Sequence, residues 1–171
     1  MTNIKSKFSD MNIVTSTLTD KKQQTDYKIK YVSEYVNQWA IISSERDEIT
    51  DITFIDCMCN AGVYQDGDLC TAMEVLLIFN NLAATHPAKT YNLYLNDYDK
   101  GKIETLNEVI ASLGINKPNI KINITNSDVN DYLVWLKDNR HIFGYSKSVI
   151  LYVDPYDFGT VHIPKVHDVL Q

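Results

Sequence analysis

Asp154-Pro155-Tyr156 is the segment of this chain best suited to chemistry. It follows a continuous apolar run, Ser148-Val149-Ile150-Leu151-Tyr152-Val153, of the kind that forms a strand buried on both faces. Proline cannot donate to a sheet ladder and holds its predecessor extended, so the strand stops at Asp154. A carboxylate is thereby delivered to the carboxyl edge of a buried sheet, where open α/β folds bind ligands. An aromatic ring two residues on can stack on a planar ligand group, worth on the order of 1–3 kcal/mol.

Three earlier strands are also expected to end in an acid, at Asp56, Asp97 and Asp128. Any one of these has a structural explanation, because Asp is common in turns and at helix N-caps; for Asp128 the cap reading is as good as the ligand reading. Four in succession would line one crevice of a parallel sheet. Such a series suits an adenosyl group. An acid after the second strand accepts from both ribose hydroxyls, and an acid after the third from an amino group on the base. Glycine after the first strand lets the backbone approach the ligand.

The elements that must position these acids are legible in the apolar spacing. Residues 1–24 are polar and aperiodic and read as a flexible extension. Ile29, Val32, Val36 and Trp39 mark an amphipathic helix from Thr25 to about Ile42. Ile52-Thr53-Phe54-Ile55-Asp56 reads as a buried strand, followed by a loop through Asp66-Gly67-Asp68. A helix is expected from Thr71 to about Ala84, and a strand over Tyr91-Asn92-Leu93-Tyr94-Leu95. A second helix runs through Ile103, Leu106, Ile110 and Leu113 to Gly114, a residue suited to a helix end. Ile120 to Ile124 alternates like a third strand, Val129, Leu133 and Leu136 line a further helix, and Pro164 suits the first turn of a last one. Strands alternating with helices predict a mainly parallel, three-layered α/β sheet with right-handed crossovers.

Composition bounds the rest. At 171 residues, 44% hydrophobic and 22% charged, the chain is one ordinary globular domain. A net charge of −6 argues against a broad phosphate-binding surface, and no run approaches a membrane span. Cys57, Cys59 and Cys70 read as reduced thiols of a cytoplasmic protein; three zinc ligands are the sharper alternative, without an obvious fourth. Trp39 and Trp135 fall at core spacing, and Lys21, Lys22, Lys28 and Lys30 read as a solvated helix face.

Several of these residues together carry a resemblance. Thr25-x-x-Lys28 with Tyr31, Tyr35 and Trp39, then Asp56-Cys57-Met58-Cys59-Asn60-Ala61-Gly62-Val63-Tyr64, then Gly67 with Ala72, then Asp154-Pro155-Tyr156, resemble the three-Cys-motif partner protein family. That family is similar to class I methyltransferases that use S-adenosylmethionine. Its first-strand loop typically reads Asp-Gly-Phe-Ala-Gly-Pro-Gly-x-Tyr. Asp56, Gly62 and Tyr64 match, while Cys57 and Asn60 stand where glycines are expected.

The resemblance implies a Rossmann-like class I methyltransferase fold and S-adenosylmethionine as cofactor, held by Asp56, Asn60, Gly62, Asp97 and Asp128. Asp154-Pro155-Tyr156 resembles the Asp-Pro-Pro-Tyr signature of amino-methyltransferases with one proline missing. It implies that Asp154 orients an exocyclic amino group of a nucleic-acid base and that Tyr156 stacks on the base. The alternative is a non-catalytic partner module that keeps the fold.

A full class I sheet has three strands beyond its fourth. This chain supplies four, in expected spatial order 3-2-1-4, with the last at an open edge. A piece of a longer protein, a shortened member, and a subunit completed by another chain or a second copy through that edge are the three readings that follow.

Overall fold

A computed structural model of the protein describes residues 18–20, 23–155, 157 and 159–171. Tyr156 and most of the expected N-terminal extension (1–17, 21 and 22) lie outside the described residues. The element order is α1 (Gln23–Ser44), β1 (Asp51–Asp56), α2 (Thr71–Thr85), β2 (Thr90–Asp97), α3 (Lys100–Leu113), β3 (Ile120–Asn126), α4 (Val129–Asp138), β4 (Lys147–Tyr152) and α5 (Ile163–Leu170). A short 3-10 turn over Arg140–Ile142, which the sequence pattern does not signal, precedes β4.

All four strands are parallel and lie in the order β3-β2-β1-β4. The chain winds outward from β1 through β2 to β3, then returns across to β4 on the other side of β1. The point between β1 and β4 where the direction reverses is where such sheets open a crevice. This is a Rossmann-like α/β arrangement, as the alternation of elements predicts.

Helices cover both faces. On one, Val36 and Ala40 of α1, Met73, Leu76 and Phe79 of α2, and Leu106 and Val109 of α3 pack on Ile52, Phe54, Leu93 and Leu95. On the other, Val129, Leu133 and Leu136 of α4 and Val169 of α5 pack on Ile55, Val149 and Leu151. Strand periodicity divides the residues in this way: successive side chains point to opposite faces, so Phe54 and Ile55 belong to different cores. No helix among the described residues is long and apolar enough to cross a membrane.

Helix ends follow local chemistry. Asp99 accepts from the Gly101 and Lys102 amides at the start of α3, and Gly114, with φ of 64°, closes it in the left-handed conformation. Trp135 departs from the core expected of it. It is 43% exposed at the rim, stacked on Tyr132 with ring centroids 5.6 Å apart.

Candidate functional site

β1 ends at Asp56 because the chain must leave the sheet to reach α2, and its carboxylate is buried to 2% exposure where it does so. One oxygen accepts from the Met58 amide at 3.1 Å. Burial without a full set of partners penalises the charged form. The Asp56 carboxyl is pushed up to about 7 by desolvation above all, opposed by the Met58 hydrogen bond and reinforced by the neighbouring Asp154 and Asp97 carboxylates.

The loop after Asp56 turns at Asn60, the one described non-glycine residue with positive φ (63°). Asn is among the few side chains that tolerate this region, which explains how it replaces the expected glycine. Its side chain is folded onto local partners: Oδ1 accepts from the Ala61 amide at 2.9 Å and Nδ2 donates to Thr19 Oγ1 at 3.2 Å. Thr19 and Leu18 also accept from Gln65, so residues 18–20 are seated on this loop as a wall of the site. Gly62 has a packing role. A Cβ there would stand 3.0 Å from Leu106 Cδ1 and 3.3 Å from Val109 Cγ1, so its missing side chain admits α3, and it lines neither of the cavities described below.

Asp97 closes β2. Its Oδ2 accepts from the Asn60 amide at 2.9 Å and its Oδ1 from the Asp99 amide at 3.0 Å. This ties the two loops together and leaves acceptor capacity on each oxygen. Asp128 caps α4 through the Asn130 amide at 2.8 Å, and it also lines the crevice; both readings of that residue describe where it sits. Asp154 follows β4, and Pro155 continues the chain out of the sheet.

The crevice has two compartments. The first, about 180 Å³, sits at the topological switch point between β1 and β4; Asp56, Asn60, Thr71, Tyr152, Asp154 and Lys28 contribute to it. The second, about 320 Å³, sits over β2 and β3, with Asn96, Asp97, Tyr98, Lys102 and Asp128. Met58 borders both. All four strand-end acids therefore line one edge, Asp56 and Asp154 in one compartment and Asp97 and Asp128 in the other.

Two features of the crevice escape the sequence pattern. Lys28 of α1 donates to Asp154 Oδ2 in an ion pair across the mouth of the first compartment, so it is not merely part of a solvated face. Asn96, 1% exposed, donates to the Cys57 and Ser127 carbonyls and so clasps the ends of β1, β2 and β3. Among the described residues its Oδ1 has no hydrogen-bond partner, and it borders the second compartment; the buried Tyr152 hydroxyl, near Thr71, borders the first. Only the position of Asn96 beside Asp97 hints at its role; nothing local marks Lys28 as the partner of a residue so far along the chain.

The three cysteines are divided between two cores. Cys57 belongs to the core under α4, whereas Cys59 and Cys70 belong to the core on the opposite face, where Cys70 Sγ lies 3.4 Å from the Cys59 carbonyl. No group of three potential metal ligands occurs among the described residues. Burial pushes the Cys70 thiol up to about 12 and the other two upward as well, which keeps them protonated as they stand. In comparisons with protein-family models, curated proteins and solved structures, nothing matches this chain.

Proposed function

We propose that the crevice binds S-adenosylmethionine and that the protein is a methyltransferase acting on an exocyclic amino group of a nucleic-acid base. The observation that carries the reading is the set of four acids at the carboxyl ends of strands ordered 3-2-1-4, distributed over two neighbouring compartments that share Met58. The donor set suits the cofactor. Asp97 and Asp128, with the spare Asn96 Oδ1, offer acceptors to ribose hydroxyls and a base amino group. Asp56 and the Tyr152 hydroxyl offer them to an ammonium group in the first compartment. Bound there, S-adenosylmethionine supplies an electrophilic methyl group.

The chain's own contribution is orientation. Asp154, released from Lys28, accepts hydrogens of the incoming amino group and turns its lone pair out of ring conjugation. Pro155 fixes the turn, and Tyr156 would stack on the base. A base within a duplex must first be flipped out.

A second reading, a non-catalytic module of the same fold, draws on the Lys28–Asp154 ion pair, which engages the carboxylate that the reaction needs. Isothermal titration with S-adenosylmethionine and S-adenosylhomocysteine, followed by a methyl-transfer assay on mixed nucleic acids, separates the two. Binding with turnover supports the enzyme, and binding without turnover supports the module. No binding to folded protein overturns both.

A further inference from the structure

We infer that the sheet face near the amino ends of the strands holds a second site, which takes the phosphate group of a small ligand independently of what the crevice binds. Register shows how the site arises. Thr53, Asn92 and Lys121 are partners across β1, β2 and β3, and Tyr94 and Asn123 are partners two residues on. Residues paired across strands share a face, here the one that Ile55, Val149 and Leu151 line with apolar side chains under α4 and α5. A polar band therefore crosses a face whose other rows are core. Thr53 is 2% exposed and Asn92 7%, so these are interior positions rather than a wetted rim.

The 3-10 turn after α4 brings His141 and Ile142 over this band and encloses a cavity of about 210 Å³. Hydrogen-bonding capacity around it is unequal. Asp51, the one acid among its described lining residues, is engaged at both oxygens: Oδ1 accepts from Asn92 Nδ2 at 3.4 Å and Oδ2 from the Thr50 hydroxyl at 2.7 Å. The donors are largely unspent. Among the described residues Lys121 forms no hydrogen bond or ion pair, and neither the Tyr94 hydroxyl nor the Asn123 amide has a partner. Lys147 Nζ gives one of its three hydrogens to the His141 carbonyl. Burial, with Asp51 nearby, raises the Tyr94 phenol above its ordinary range, so it stays a donor.

Charge and geometry select the ligand. Two ammonium groups stand against a single, already bonded carboxylate, in a chain whose net charge is −6. Lysine binds phosphate as a point charge. Lys121 belongs to β3 and Lys147 to β4, with Tyr94 of β2 between them, so the donors approach from several directions. That suits a tetrahedral oxyanion better than a planar carboxylate. The cavity is smaller than the roughly 300–1,000 Å³ of sites for drug-sized molecules, which keeps the ligand small. Trp135 lies 6.3 Å from Tyr94 between ring centroids, so its fluorescence reports on filling of the cavity, whereas Trp39 packs on the other face of the sheet.

Titration of the full chain with inorganic phosphate, read by tryptophan fluorescence and by calorimetry, tests this. Saturable binding is expected at or below about 1 mM, with acetate binding more weakly. Lys121→Met and Lys147→Met keep the aliphatic stems, and each is expected to weaken phosphate binding about tenfold with the circular dichroism spectrum unchanged. Asp51→Asn removes the opposing charge and is expected to tighten it. Lys100→Ala, at the start of α3 beyond the other end of the sheet, is expected to change nothing. Lys121 is exposed, so its variant decides the matter should Lys147→Met fail to fold. No saturation by phosphate overturns the inference, as does binding that both methionine variants leave unchanged. Displacement of phosphate by S-adenosylmethionine overturns the claim of a separate site. A single-stranded oligonucleotide that binds through Lys121 and Lys147 and resists displacement by phosphate overturns the small-ligand assignment in favour of a nucleic-acid contact.

Discussion

Asp56 is held in an environment that a purely structural carboxylate would not choose. Its raised pKa, about 7 against an ordinary 3.8, means that the folded state takes up a proton between those values. The sign follows: the contribution of Asp56 to stability is fully present below about pH 4, declines as the pH rises toward 7, and is absent above that. Asp56→Asn keeps the acceptor for the Met58 amide and removes the titration. The variant is expected to be more stable than the parent at pH 8 by up to about 4 kcal/mol, with little gain at pH 4. Denaturant unfolding across that range checks it, and a constant difference would show that Asp56 is not the group responsible.

Lys28 and Asp154 are each more than a third exposed, so their ion pair stabilises the fold by less than about 1 kcal/mol. Lys28→Met is expected to leave the thermal midpoint nearly unchanged. In the enzyme reading it frees the Asp154 carboxylate and raises turnover. A large loss of stability would instead make the pair a structural clasp.

The loop between β1 and α2 is held by backbone conformation on one side and by close packing on the other. Gly62→Ala puts a methyl against Leu106 and Val109 at a residue with φ of 87°, and a destabilisation of about 2–4 kcal/mol is expected from crowding and strain together. Asn60→Gly keeps the left-handed turn and loses only the side-chain bonds to Ala61 and Thr19; it is expected to cost less than about 1.5 kcal/mol. Chemical denaturation of the pair ranks them. The reverse order would mean that the Asn60 side chain, rather than its backbone, holds the loop.

Across the whole sheet, protection is expected to follow position. Among the described residues β1 and β2 are each bonded on two sides, and β3 and β4 on one. Amide exchange is expected to be slowest at Phe54, Ile55, Leu93 and Leu95, because these open only with the global transition. At β3 it should be faster at residues whose amides face away from β2. Uniform protection across all four strands would contradict the assignment of β1 and β2 as the stable centre.

Strand identity and direction were carried by the sequence, while the order 3-2-1-4 was what the family resemblance implied. Ser148–Val153 and Ile52–Asp56 are apolar runs that can satisfy their backbones only inside a sheet, and strands separated by helices must be parallel. The acids at Asp56, Asp97 and Asp128 were legible because strand ends are where the apolar pattern stops. Boundaries shifted by a few residues, since strand pairing extends β2 to Asp97 and β3 to Asn126 beyond their apolar cores.

Pairings between residues far apart in the chain were decided by the tertiary structure alone. Lys28 meets Asp154 because α1 crosses β4 antiparallel, and a helical pattern records which face is apolar but not which strand end lies below its first turn. Cys57 and Cys59 follow the end of β1 at Asp56, and the chain turns between them so that they enter opposite cores, a division that the spacing Cys-x-Cys does not record. The contact of Gly62 with α3, where an added Cβ would strike Leu106 and Val109, is visible only in the packing. Local sequence fixes which residues must be buried, turned or extended; which distant group each then faces depends on how the layers stack.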